Sequence, residues 1–258
     1  MLKLFGISIA NLSQSETLDR IQGLLVSGGR HLVVTANPEI LVEARRNLVY
    51  HQALEQASLV LADGTGLIFA SYLLRQPLTK GRVVGVDLVE RLVAESGMRG
   101  YSVFLAGSTQ DILQKTTQHL TYKYKNIRVA GSYSALHDPH IVHDSVDEYE
   151  SQALIKAVSQ AKPDILLLAF GHPKQELWLA KHLPELDVKV ALGVGGSFDY
   201  LSGLVKRAPV FARSLGMEWL WRLAHQPWRW KRIYIAIIVF PWLVIRLAVL
   251  RLFHVEQG

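Results

Sequence analysis

Over the first 200 residues, short apolar runs alternate with stretches of helical length, and this alternation constrains the fold more than any other feature of the chain. The apolar runs are Leu2–Ala10, His31–Thr35, Ser58–Ala62, Tyr101–Ala106, Ile127–Ala130, Asp164–Phe170 and Val188–Leu192. Between them lie helical patterns: Ser15–Ser27 closed by Gly28-Gly29, a stretch opened by Asn37-Pro38-Glu39 and running to about Ala57, Leu67–Leu74, and Val86–Gly97. Further helices follow Gly107-Ser108 to about Tyr124 and cover Glu148–Ala161 and Lys174–His182. Strands of this length between amphipathic helices predict βαβ units. The expected fold is therefore α/β, a mostly parallel sheet with helices on both faces. Residues 132–146, with His137, Asp138, Pro139, His140, His143 and Asp144, read as a solvated loop, because the histidine spacing is irregular for a metal site.

With 258 residues, half of them hydrophobic, the chain can bury a sizeable core as one large domain or as a domain with an appendage. The absence of cysteine excludes disulfides, thiolate zinc sites and cysteine nucleophiles. No signal peptide is expected, because Met1–Gly6 lacks a basic segment followed by a long apolar run.

Charge divides the chain. From Leu201 onward there are nine Lys/Arg and two acids, whereas the preceding 200 residues hold 19 basic and 20 acidic side chains. Five of the six tryptophans (Trp219, Trp221, Trp228, Trp230, Trp242) also fall in this tail. A basic, tryptophan-rich end followed by aliphatic residues suits a membrane interface rather than nucleic acid. The boundary is placed at Ser202-Gly203, giving a core of 1–202 and a helical appendage of 203–258. Pro209 suits the start of a helix over Val210–Ala224; Pro227 starts another, which Pro241 is expected to interrupt. Ile233–Ile245 carries no charge, but the run reaches the roughly 20 residues of a membrane span only by accepting Pro241 and Arg246. A helix lying in the interface or dipping into it is expected, with a full span as the alternative.

In a parallel sheet the carboxyl ends of the strands share one edge, and here several carry polar clusters. They are Thr35–Glu39, Asp63-Gly64-Thr65-Gly66, Gly107-Ser108-Thr109, Gly171–Glu176 and Gly193–Asp199. Glycine-rich turns at such ends expose backbone N–H groups that attract phosphate. Asp63, at the end of an apolar run, is the prominent carboxylate; its alternative reading is a simple cap on the next helix. No G-x-G-x-x-G or P-loop pattern occurs, so a dehydrogenase or a P-loop nucleotidase is not indicated. No D-x-D pair occurs either, so a diphosphate would be neutralised by Arg, Lys and backbone N–H groups.

The ordered set Thr35–Glu39, Ala62–Gly66, Arg82–Leu88, Gly171–Glu176, Gly193–Asp199, Arg207-Ala208-Pro209 and Gly216–Arg222 resembles the WecG/TagA/CpsF family of bacterial glycosyltransferases, over about residues 1–232. Beyond Arg232 no family pattern is evident. The resemblance implies a Rossmann-like core and an inverting, metal-independent transferase without a cofactor. It also implies transfer of an N-acetylmannosamine-type sugar from a UDP-sugar donor to an undecaprenyl-diphosphate-linked acceptor. The resemblance places that chemistry at the cytoplasmic face of the membrane and in the synthesis of wall teichoic acid, enterobacterial common antigen or capsular polysaccharide.

Within that reading, Asp63 is the candidate base for the acceptor hydroxyl, with Thr35, Asn37 and Gln175 set to bind sugar hydroxyls or orient it. Arg82, Gly107, Gly171, Lys174, Glu176, Gly195 and Asp199 are the donor-binding candidates. Lys174 and Glu176 have the alternative of helix-start surface residues, and Asp199 that of a turn aspartate. His172 is the competing base. Arg207, Arg213, Arg222, Arg229 and Arg232 are candidates for the acceptor diphosphate, with binding of anionic lipid alone as their alternative. Two other readings are an epimerase acting on UDP-sugars and a non-enzymatic peripheral lipid-binding protein. A homo-oligomer is compatible with the sequence, which leaves the oligomeric state open.

Overall fold

The computed structural model describes residues 1–134, 147–214 and 216–255; the histidine-containing loop expected at 132–146 lies outside the described residues from 135 on. In chain order the core holds β1 (Leu2–Leu4), β2 (Ile7–Ile9), α1 (Gln14–Val26), β3 (His31–Ala36), α2 (Pro38–Arg46), α3 (Leu48–Glu55), β4 (Leu59–Ala62), α4 (Thr65–Leu73) and α5 (Gly85–Arg99). It continues with β5 (Ser102–Gly107), α6 (Gln110–Lys123), β6 (Arg128–Tyr133), α7 (Glu148–Ala161), β7 (Ile165–Ala169), α8 (Lys174–His182), β8 (Val190–Gly193) and α9 (Ser197–Leu201). Last come α10 (Val210–Ser214), α11 (Glu218–His225), α12 (Trp230–Tyr234), a π-helical turn (Ile235–Val239) and α13 (Phe240–Val255).

Six strands form one parallel sheet in the order β4-β3-β8-β7-β5-β6. Side chains alternate between its faces. Val34, Ala36, Val60, Ala62, Leu166 and Leu168 pack with α2, α3, α4 and α8 on one side. Val33, Leu61, Leu105, Leu167 and Leu192 pack with α1, α5, α6 and α9 on the other. Strands β4, β5, β7 and β8 are buried throughout, which is why they read as continuous apolar runs. The fold is the expected α/β one. The chain moves outward from β3 to β4, crosses to β5 and β6, and returns through β7 and β8 to the centre. The strand ends on either side of β8 therefore frame the crevice where such sheets bind ligands.

Three expectations about local structure need correction. Leu2–Ala10 is a hairpin, not one strand: Phe5 and Gly6 both take positive φ, 49° and 90°, as a two-residue hairpin turn requires. The helix after Pro38 breaks at Asn47, whose side chain caps α3 through the Tyr50 N–H at 3.0 Å. Strand β6 runs past Gly131 to Tyr133, with Gly131 packed against the Phe104 ring.

The tail differs more. Val210–Ala224 is split into α10 and α11, with Gly216 at φ 71° between them. Pro241 does not interrupt the last helix. Proline removes an N–H and crowds the carbonyl four residues back, and the wider π turn just before it absorbs both effects. Pro227–Leu252 is thus a single helical run, long and apolar enough to cross a membrane by length and composition. It carries two apolar stripes. Phe240, Leu243 and Val244 are buried in the core cluster, while Tyr234, Ile238, Trp242, Ile245, Val249 and Leu252 face outward. Helix α13 is thus packed against the core through Phe240, Leu243 and Val244.

Candidate active site

Asp63 follows the buried β4, and its N–H donates to the Ala36 carbonyl at 2.7 Å, extending the β3–β4 register one residue. Gly64 then takes φ 112°, a conformation that only glycine adopts readily, and its own position caps α4. The Asp63 side chain is consequently free of the helix that follows it in sequence. It turns instead to α5, where the Gly85 N–H donates to Oδ2 at 3.3 Å. A Cβ on Gly85 would sit 3.4 Å from Asp63 Oδ2 and 3.5 Å from Thr35 Oγ1, so the two side chains share the patch above this glycine.

Asp63 lies in the floor of a cavity of about 530 Å3, large enough for a substantial ligand. Burial pushes its carboxyl up to about 6; the Gly85 N–H, Arg222 and Arg82 pull the other way, and Glu218 adds to the rise. Among the described residues it forms no ion pair.

The rest of the floor is set by a buried polar network. Gln175 Oε1 accepts from the Gly171 N–H at 3.2 Å and the Gly195 N–H at 3.0 Å, holding the turns after β7 and β8 together. Its Nε2 donates to Glu176 Oε1 at 2.7 Å, and the Tyr50 hydroxyl donates to Glu176 Oε2 at 3.0 Å. Burial keeps the Glu176 carboxyl above its ordinary range, against these donors and the nearby His172.

The opposite wall comes from the tail. Arg82, on the loop before α5, donates to the Arg213 carbonyl at 3.1 Å and lies 3.8 Å from Glu218. Glu218 also accepts from Arg222 at 2.7 Å, and the Arg222 guanidinium sits 5.3 Å from the centre of the Tyr200 ring. Asp199 and Arg229 face each other across Gly196: a Cβ there would lie 3.3 Å from Asp199 Oδ2 and 3.9 Å from Arg229 Nη2. Burial raises the Asp199 carboxyl and Arg229 opposes it. Arg232 Nε donates to Glu39 Oε2, which also accepts from His172 Nε2 at 2.9 Å. Burial alone would raise Glu39, but His172 and Arg232 outweigh it and hold the carboxyl at about 2. The ionised Glu39 thereby orients the His172 ring through Nε2.

The profile of the glycosyl transferase WecG/TagA/CpsF family matches residues 2–252. The chain belongs to this family. It is 32% identical over 232 residues to the N-acetylglucosaminyldiphosphoundecaprenol N-acetyl-β-D-mannosaminyltransferase of Staphylococcus aureus strain MRSA252, covering 89% of this chain and 85% of that protein. The protein of the same name from strain MW2 is 31% identical over the same extent. The chain is thus a glycosyltransferase, and the non-enzymatic and epimerase readings fall away.

The glycosyltransferase cavity gathers Thr35, Asn37, Asp63, Arg82, Gly171, Gln175, Gly195, Asp199, Arg222, Arg229 and Arg232. Five candidates stand apart from its lining. Gly107 is a packing glycine: a Cβ there would strike the Ala169 carbonyl oxygen at 2.7 Å. Glu176 is neither a surface residue nor a ligand-facing one but a buried strut, and Lys174 starts α8 outside the cavity. Arg207 pairs with Asp87, and Arg213 contributes its carbonyl to Arg82. Two of the gathered residues have part of their capacity committed. Asn37 Oδ1 caps α2 through the Ile40 N–H at 3.0 Å, and Gln175 is committed to the backbone and to Glu176.

Glu39, Glu218, Tyr50 and Tyr200 carry structural duties at the site that sequence reasoning did not assign. Glu39 lay within a motif already noted, and acids are scarce in the basic tail, which singles out Glu218; neither signal named a partner.

Proposed function

We propose that this glycosyltransferase moves an N-acetylmannosamine-type sugar from a UDP-sugar to an undecaprenyl-diphosphate-linked N-acetylglucosamine, with inversion and without a metal. Asp63 is the base. Its carboxylate takes the proton of the acceptor hydroxyl as that oxygen bonds to the anomeric carbon; the bond to UDP breaks on the opposite face, and the electron pair leaves with the diphosphate. The observation that carries the reading is Asp63 itself: raised to about 6 and facing a cavity ringed by Arg82, Arg222, Arg229 and Arg232. A carboxylate so raised is a stronger base than an ordinary one, yet still ionised near neutral pH. The guanidinium groups suit a leaving diphosphate or the acceptor's own, which is why no metal is invoked. His172 is less suited to the role, because Nε2 is committed to Glu39 and Nδ1 is buried.

The relatives' acceptor is named as an undecaprenol diphosphate, which supports action on a lipid-borne substrate. The outward stripe of the last helix supports peripheral membrane attachment through the appendage of 203–258, with 1–202 as the catalytic core; the face proposed is the cytoplasmic one. The test is UDP release from UDP-N-acetylmannosamine in the presence and absence of the lipid-diphosphate acceptor, with and without a chelator. Acceptor-dependent, chelator-resistant release is expected. Asp63→Asn should lower it by about 10²–10⁴-fold while UDP binding persists. Undiminished turnover would sink the assignment of the base.

A further inference from the structure

We propose that the cavity's apolar wall is a binding subsite for the isoprenoid chain of the acceptor, taking the units next to the diphosphate. The inference rests on the function proposed above and adds the residues that read the lipid. Two chemistries meet in the cavity: Asp63 and the four arginines supply the polar lining, and Ile233, Ala236, Ile237 and Pro241 of the last helix, with Phe69 of α4 and Trp219 of α11, supply the apolar one. The four residues from the last helix lack any side-chain hydrogen-bonding group, so they offer no hydrogen bond to sugar hydroxyls, uracil or phosphate. A ligand that satisfies both sides is an anion joined directly to a hydrocarbon.

The helix supplies the continuation. Ala236 and Ile237 sit in the π turn, and the neighbouring Tyr234, Ile238 and Trp242 face outward, 52%, 54% and 58% exposed. Phe69, Tyr72 and Leu73 of α4, against which α13 packs, are exposed as well, 53%, 60% and 38%. A chain held at Ile237 therefore has exposed aromatic and aliphatic side chains beside it on both helices, and meets no charged side chain of the last helix, because no charge lies between Arg232 and Arg246. The arginines of the lining hold the diphosphate end, which fixes the direction in which the chain lies.

The test uses full-length enzyme and two water-soluble acceptors that share the sugar diphosphate head, one on a three-isoprene chain and one on a propyl group, without membranes. The expected KM for the isoprenoid acceptor is about tenfold lower, since burying several CH2-sized groups is worth at least that. Ile237→Ser should bring the ratio to about threefold or less, leaving the KM for the UDP-sugar in place. Phe69→Ser, at a position 53% exposed, should narrow the ratio in the same way. Equal KM values in the wild type, or a ratio unchanged in both variants, would overturn the subsite. Absence of transfer to either acceptor would overturn the underlying function and the subsite together.

Discussion

The two walls of the cavity are built by different means. The sheet wall is fixed by backbone: Asp63 N–H to Ala36, Val83 N–H to Ala62 at 2.8 Å, and Val194 N–H to Leu168 at 2.9 Å. Gln175 then ties the glycine turns to one another. The tail wall depends on side chains. Arg222 and Arg82 share Glu218, and Arg232 meets Glu39. Apolar burial of Phe240, Leu243 and Val244 clamps the helix that carries the wall, and the close approach of Gly66 to Pro38 and Phe240 leaves no room for a larger residue there. The difference separates two tasks. Asp63, the proposed base, belongs to a backbone-bonded frame, while the surrounding charge and the apolar surface are delivered by a docked element.

If that division is right, changes at the two walls have different signatures. The largest effect is expected from Phe240→Ala, which removes a fully buried ring and should cost about 3–5 kcal/mol in a denaturant titration, with turnover falling because the tail wall loosens. A cut after Ser202 would bare the same apolar surface, so point variants separate catalysis from folding better than truncation does. Arg222→Ala follows: it removes the partner 2.7 Å from Glu218 and a positive charge that opposes the rise of Asp63, and should lower kcat/KM by about 10²–10³-fold with a smaller fall in the melting temperature than Phe240→Ala. Tyr50→Phe, on the sheet side, withdraws a donor from buried Glu176; stability should drop by about 1–3 kcal/mol, and turnover only as far as the glycine turns shift.

The smallest effect belongs to the Arg232–Glu39 pair, partly exposed at 42% and 17%. Arg232→Ala should raise the acceptor KM by about tenfold or less, with stability changed by about 1 kcal/mol or less. The sign of its pH dependence follows from Glu39, whose carboxyl is held at about 2 against an ordinary 4.5. The pair contributes fully above about pH 4.5 and is lost as pH falls toward 2, so acid-induced loosening of the tail should be absent in Arg232→Ala.

The sheet was legible because five of its six strands end where apolar runs meet glycine or a polar residue, and parallel order places those ends on one edge. Asp63 was legible for the same reason. What escaped reading were pairings across the chain. Glu39 and Arg232 are 193 residues apart, and Tyr50 and Glu176 are 126 apart. No local pattern encodes such a meeting. Gln175 shows the limit from another side: its motif pointed to a ligand-facing amide, but the geometry commits its oxygen to two backbone donors. The first hairpin hid in an apolar run because the turn rests on Phe5-Gly6 alone, and Pro241 was read as a break because the π turn that accommodates it leaves no mark on composition.

The most direct test of the central claim is the pH profile of acceptor-dependent kcat/KM for the wild type and Asp63→Asn. Burial raises Asp63 from an ordinary 3.8 to about 6, so the active, ionised form is lost as pH falls through 6. The same shift makes its charge a burden on the fold above that pH, so the Asn variant should melt no lower than the wild type at pH 7.5. The predicted result is a wild-type rate that rises about tenfold per unit up to about pH 6 and then levels, with residual Asp63→Asn activity that lacks this limb. A limb that persists unchanged in Asp63→Asn, or a wild-type limb centred near 4, would contradict the account.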